Sequence, residues 1–185
     1  GSWATAIVKT LTTNHHHVDW LVLNEDIRLS LESRGRNSKY LPWCDIDRSL
    51  ITPSADINAI VRNADVIFLA MPSAFFDKFM EPLTEPLSDK FVVSAVKGII
   101  PGDYLTIVEH VNRYYDVPMD NMCVVTGPSH AEEVGQCRLS YLTVAAENND
   151  TPEVVKALLS NDYFRCTTSH DVLGVEGAAI MKNVY

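Results

Sequence analysis

Two lysines stand in settings suited to proton and charge chemistry. Lys182 closes the stretch Gly174-Val175-Glu176-Gly177-Ala178-Ala179-Ile180-Met181-Lys182-Asn183. Val175, Ala178, Ala179 and Lys182 are spaced i, i+3, i+4 and i+7, so one helix face is small and apolar and ends in an ammonium. Partial desolvation there eases proton release and suits acid–base work. The same pattern also fits a lysine snorkelling from the end of a core helix. Lys97 follows the apolar run Phe91–Val96 and precedes Gly98. That places it at the C-terminal end of a strand, where open α/β sheets bind ligands, although a solvated loop lysine gives the same signature.

Two glycine turns accompany the lysines. Val124-Val125-Thr126-Gly127-Pro128-Ser129-His130-Ala131-Glu132 reads as strand, turn and helix. Ser129 and Glu132 have capping-box spacing, which predicts that Ser129 caps the helix; the same helix start offers N–H groups to an anion. Gly1-Ser2-Trp3-Ala4 fits the end of a dinucleotide turn, G-x-G-x-x-G/A, with Gly1 as the middle glycine and Ala4 as the third small residue. A Gly-Ser leader from cloning is the alternative reading. His15-His16-His17 does not make a metal site: consecutive side chains diverge, and no Cys or carboxylate lies at ligand spacing. It is expected in a solvated loop, and no metal is expected.

The elements that must position these residues alternate. Strand candidates are Val18–Leu23, Val66–Ala70, Phe91–Val96, Met122–Thr126, Leu142–Ala146 and Phe164–Thr167. Several are continuously apolar, as expected for strands covered on both faces. Helical patterns fill the gaps, at Trp3–Thr12, around Ile57, Ile60 and Val61, from Phe75 to Leu83, and at Leu105, Val108 and Val111. A last one is opened by Thr151 as N-cap and Pro152 at the first helical position. The alternation predicts a doubly wound, mainly parallel sheet with Lys97 and Gly127 at strand C-terminal ends facing one crevice.

The 185 residues, 46% apolar, suffice for one sizeable core. Lys and Arg number 15 against 24 Asp and Glu, a net charge of −9, which argues against nucleic-acid binding but not against a small anion. No apolar run is long enough to cross a membrane and no signal-peptide pattern is present. Cys44, Cys123, Cys137 and Cys166 form no CxxC pair and read as reduced thiols of a cytosolic protein. The sequence begins inside a glycine turn and ends inside a helical pattern without a C-cap, and it reads as a piece of a longer protein.

In order and spacing these motifs, with Tyr40-Leu41-Pro42, Met71-Pro72-Ser73 and Gly177-Ala178-Ala179-Ile180-Met181-Lys182-Asn183-Val184, resemble the soluble bacterial-type NAD(P)-dependent glycerol-3-phosphate dehydrogenases. The resemblance covers nearly the whole chain. It implies a Rossmann-type domain over residues 1–171, with its first strand absent, and the start of an all-helical C-terminal substrate domain over residues 172–185. It implies hydride transfer between NAD(P)H and dihydroxyacetone phosphate, giving sn-glycerol 3-phosphate for glycerophospholipid synthesis, by a cytoplasmic enzyme that is a homodimer when intact. Carried over by motif, Lys182 is the general acid/base and Lys97 contacts substrate and cofactor. Gly127, Ser129 and Asn183 touch substrate, while Gly1, Ser2, Trp3, Ala4, Pro72 and Ala131 touch NAD or NADP. Leu23 stands where the family often carries an arginine able to hold a 2′-phosphate, which weakens the case for NADP; Glu25 is a candidate ribose ligand. Two other readings remain: a related dehydrogenase acting on another hydroxy acid, and a nucleotide-binding fragment without turnover.

Overall fold

The computed structural model describes residues 1–148 and 150–181. In chain order it comprises α1 (Ser2–Thr13), β1 (Val18–Leu21), α2 (Glu25–Arg34), β2 (Ile51–Ser54), α3 (Ile57–Asn63), β3 (Val66–Leu69), α4 (Phe76–Met80) and β4 (Phe91–Ser94). Then come α5 (Ile107–Tyr115), β5 (Met122–Thr126), α6 (Ala131–Gly135), β6 (Ser140–Ala145), α7 (Asp150–Leu159), β7 (Phe164–Ser169) and α8 (Val172–Met181).

The strands form a five-stranded sheet of order β3-β4-β5-β6-β7 and a separate pair, β1-β2. β3, β4 and β5 run parallel, β6 runs antiparallel to β5, and β7 is parallel to β6. β4 and β5 show why their runs are apolar throughout. Val92, Val96, Met122 and Val124 face one side with α3, α4 and α5; Val93, Ala95, Cys123 and Val125 face the other with α1, α6 and α7. Period-two alternation thus feeds two cores, and no strand position faces water as a class. A third cluster, Val8, Trp20, Val22, Ile27, Leu31, Ile46 and Ile51, joins α1 and α2 to the β1-β2 pair.

A cleft of about 570 Å³ separates the two sheets. All of β1 and all of β3 line it, with Ala4, Ile7, Val8 and Leu11 of α1.

Several expected boundaries move for identifiable reasons. α2 has little apolar periodicity, burying only Ile27 and Leu31, so the sequence pattern passes over it. Its signals are polar: Asn24 accepts the Ile27 N–H, Glu25 and Asp26 occupy the first turn, and Gly35 closes the end. β2 contains Pro53, which disqualifies a central strand; here it pairs only with β1 and tolerates the missing donor. The expected helix Phe75–Leu83 stops at Met80. Pro82 lies beyond it, and Asn58 draws residues 82–85 into a loop, donating to the Pro82 carbonyl and accepting from Thr84 and Glu85 N–H. α5 begins at Ile107 rather than Leu105, because Thr106 and Glu109 form a reciprocal capping box. In α7 the expected N-cap, Thr151, is instead inside the helix. Asn148 accepts the Asp150 and Thr151 N–H groups, while the Thr151 hydroxyl donates to the Asp120 carbonyl.

Candidate active site

Three turns follow the C-terminal ends of the parallel strands β3, β4 and β5, at residues 70–73, 95–98 and 127–130. Lys97 and Gly127 therefore lie on the same end of adjacent parallel strands, as the βα pattern predicts. The first two turns touch at Gly98. A Cβ at Gly98 would run into the Ser73 hydroxyl, and its φ of +132° lies in a region that favours glycine. Only glycine lets Lys97 leave β4 so close to the Pro72-Ser73 turn.

The start of α1 meets these turns through Lys97. Its Nζ sits 5.5 Å from the centroid of the Trp3 ring, within cation–π range. No acidic residue occupies the first turn of α1, and no side chain among the described residues caps it. The Trp3 indole Nε1 is buried with no hydrogen-bond partner among the described residues. A helix start without an acid, a buried unmet donor and an ammonium above it fit a phosphate-bearing group. Gly1, Ala4 and Pro72 line the neighbouring cleft. The residues present thus fit the pyrophosphate of a dinucleotide.

The loop carrying Tyr40-Leu41-Pro42 braces the same helix start. The Asn37 amide, 2% exposed, donates to the Thr5 hydroxyl at 3.0 Å, and that hydroxyl donates to the Gly1 carbonyl at 3.1 Å. The Asn37 side-chain oxygen accepts the Lys39 and Tyr40 N–H groups. Sequence reasoning passed over Asn37 and Thr5; their only local signal is an Asn two residues before an N–H-rich turn.

Gly127 and Ser129 are placed by β6. A Cβ at Gly127 would come within 2.5 Å of the Tyr141 carbonyl oxygen, so the turn lies against the strand only as glycine. Ser129 does not cap α6: His130 occupies the N-cap position, and no side-chain cap is made. The expected capping box is thereby corrected. The Ser129 hydroxyl instead donates to the Tyr141 carbonyl at 2.9 Å and accepts the Tyr141 N–H at 3.2 Å. The physical reason lies in the ladder. Thr126 pairs with Thr143, so continuing the register sets Pro128 opposite Tyr141, and proline has no N–H to offer. The hydroxyl one residue on takes over that rung. Ala131 is the first residue of α6, half-buried against the core.

Lys182 and Asn183 lie outside the described residues; α8 is described to Met181. Ser2 is the first residue of α1. Leu23, beyond the end of β1, is 55% exposed. Beside it Arg28 of α2 turns back on the strand, donating to the Val22 and Leu23 carbonyls, while Glu25 opens α2. His15–His17 lie between α1 and β1, where His17 meets Thr52 and Asp19. Among the described residues, no three His, Cys, Asp or Glu side chains gather as a metal site. Burial pushes the Cys123 thiol of β5 up to about 12, far from an activated thiolate.

Parallel strands covered on both faces, glycine turns gathered at their C-terminal ends, and a helix start beside a lysine define a Rossmann-type nucleotide-binding domain. Comparison with known proteins makes this specific. The family model described as the N-terminus of NAD-dependent glycerol-3-phosphate dehydrogenase matches residues 1–152. The chain belongs to that family. A curated relative from Agathobacter rectalis, named as an NAD(P)+ glycerol-3-phosphate dehydrogenase, is 34% identical over all of this chain and 54% of its own length. Another from Halalkalibacterium halodurans, named likewise, is 31% identical over all of this chain and 53% of its own. The chain thus spans about half the length of these relatives. A solved glycerol-3-phosphate dehydrogenase from Coxiella burnetii matches 95% of this chain and 53% of its own with TM-score 0.83 and 26% identity. The Plasmodium falciparum structure, covering all of this chain and 54% of its own at TM-score 0.89 and 19% identity, agrees in fold.

Proposed function

We propose that this chain is the cofactor-binding part, with the opening of the substrate domain, of an enzyme interconverting dihydroxyacetone phosphate and sn-glycerol 3-phosphate. The observation that carries the reading is the convergence of the α1 start, Trp3 and Lys97 with the Gly98 and Gly127 turns on one end of the sheet. The family match supports the choice of substrate, since the relatives carry that name. Residues 1–171 form the nucleotide domain and residues 172–185 open the helical substrate domain.

When bound, NAD(P)H supplies the hydride that reaches the carbonyl carbon. The α1 start, with Gly1, Ser2, Trp3 and Ala4, holds the pyrophosphate through main-chain N–H groups, and Pro72 and Ala131 bound the same ligand. Gly127, Ser129 and Asn183 bound the substrate; for Ser129 the main chain is the available contact, because its hydroxyl is engaged by Tyr141. The Lys97 ammonium opposes the negative charge that grows on the ketone oxygen. Lys182 gives that oxygen its proton in reduction and takes it back in oxidation. NADH is favoured over NADPH. Leu23, 55% exposed, brings no charge to the end of β1. The enzyme works in the cytoplasm as a homodimer and feeds glycerophospholipid synthesis.

The test is NADH oxidation by a full-length form of the enzyme, with dihydroxyacetone phosphate beside a series of small 2-keto acids. Oxidation dependent on dihydroxyacetone phosphate is expected. Turnover of a keto acid instead would assign a different dehydrogenase.

A further inference from the structure

A buried acid stands at the junction of the two lysine-bearing segments. Glu176 of α8 is 1% exposed. Its Oε1 accepts the N–H of Ile107, the first residue of α5, at 3.2 Å. Its Oε2 is buried with no hydrogen-bond partner among the described residues. An apolar side chain would fill this space without the desolvation that a buried carboxyl carries. Burial does push the Glu176 carboxyl up, opposed by the neighbouring Thr106 hydroxyl and the Ile107 and Val108 N–H groups. A carboxyl kept in such a place is directed at the positive start of α5.

That helix start is also where the Lys97 loop ends. The Ile100 N–H donates to the Leu105 carbonyl and the Tyr104 N–H donates to the Ile100 carbonyl, closing the loop two residues before Ile107. Asp103 within it accepts the Leu105 N–H and meets His110 Nδ1 of α5 at 2.7 Å. The loop and the first turn of α5 are therefore one hydrogen-bonded unit. Glu176 ties that unit to α8, six residues before Lys182 in the sequence.

We propose that Glu176 is a positioning residue for hydride transfer: its hydrogen bond to Ile107 fixes α8 against the loop that carries Lys97. The inference rests on the dehydrogenase reading given above. A small displacement of a reacting group lowers kcat steeply while leaving a distant binding contact alone. Glu176 touches neither the α1 start nor the Pro72 turn in any contact described.

The experiment uses a full-length form of the enzyme with Glu176→Leu, Glu176→Gln and Glu176→Asp. It measures kcat for dihydroxyacetone phosphate reduction, NADH affinity by fluorescence titration and the melting temperature. Glu176→Leu is expected to lower kcat about 10–100-fold with NADH affinity unchanged, since only the geometry of the reacting groups shifts. Glu176→Gln, whose amide oxygen still accepts from Ile107, is expected to recover kcat to within about threefold of wild type. Glu176→Asp keeps the charge but falls one carbon short, and should match the leucine variant. If the leucine variant does not fold, the Asp and Gln pair decides. Wild-type kcat in Glu176→Asp, or equal losses in kcat and NADH affinity, would overturn the proposal. Absence of any dihydroxyacetone phosphate reduction by the wild type would instead reject the reading on which it rests.

Discussion

Removing the Ser129 hydroxyl should be felt in stability. Its oxygen both donates to and accepts from the Tyr141 peptide, completing the β5–β6 ladder where Pro128 cannot. Ser129→Ala leaves that N–H and C=O without their partner. A buried pair so orphaned costs about 1–3 kcal/mol per group; with the peptide only half-buried, about 1–2 kcal/mol in all is the expected loss. For a chain of 150–250 residues each kcal/mol lowers the melting temperature by about 2–4 °C, so a fall of about 2–8 °C follows. Thermal unfolding of the 185-residue chain, followed by far-UV circular dichroism, reads this directly. Amide exchange at Tyr141 should quicken in the variant more than at Val144, which keeps its partner Val125. An unchanged melting temperature with unchanged exchange at Tyr141 would refute the ladder argument and return Ser129 to substrate contact alone.

Three further outcomes are expected. Gly98→Ala forces φ +132° on a side-chain residue against Ser73, a strain of about 1–3 kcal/mol. It should displace the Lys97 turn and lower kcat of the full-length enzyme about 10–100-fold; wild-type kcat would contradict the close fit of the two turns. Asp103 is held below the usual carboxylate range, first by the Leu105 N–H and then by His110. Because its folded value lies below the unfolded one, its stabilisation is complete above about pH 4 and is lost as the pH falls through the folded value. Asp103→Asn should therefore melt below wild type at neutral pH and approach it in acid; a gap independent of pH would rule this out. Leu23→Arg should raise kcat/KM with NADPH relative to NADH, and an unchanged ratio would show that the end of β1 does not meet the 2′ position.

The legible part of the fold was the part written in apolar period. β4 and β5 run Phe91–Ser94 and Met122–Thr126, close to their sequence reading, because both faces of each strand enter a core. What escaped was held by polar detail. α2 is defined by Asn24 and its first-turn acids, β2 tolerates Pro53 at an edge, and the loop after α4 is shaped by Asn58 from another helix. The site divided in the same way. Glycine turns after strands were readable at Gly98 and Gly127, because strand ends in such sheets gather ligands. The roles of Ser129 and Glu176 depend on partners far along the chain, Tyr141 across a ladder and Ile107 across a helix packing, which local spacing cannot supply.

We propose that Lys97 and Lys182, on a nucleotide-binding frame, perform the reaction. The most direct test is kcat of Lys182→Ala in a full-length form of the enzyme, measured beside NADH affinity. A positioned general acid is typically worth ~10²–10⁴-fold in rate. A loss of that order with NADH affinity unchanged is expected, because the proposed pyrophosphate contacts at Ser2 and Trp3 lie at the start of α1, another element of the chain. Lys182→Arg should not restore the rate, since a guanidinium stays protonated. A Lys182→Ala enzyme that keeps most of its kcat would rule out Lys182 as the general acid and leave Lys97 in that role.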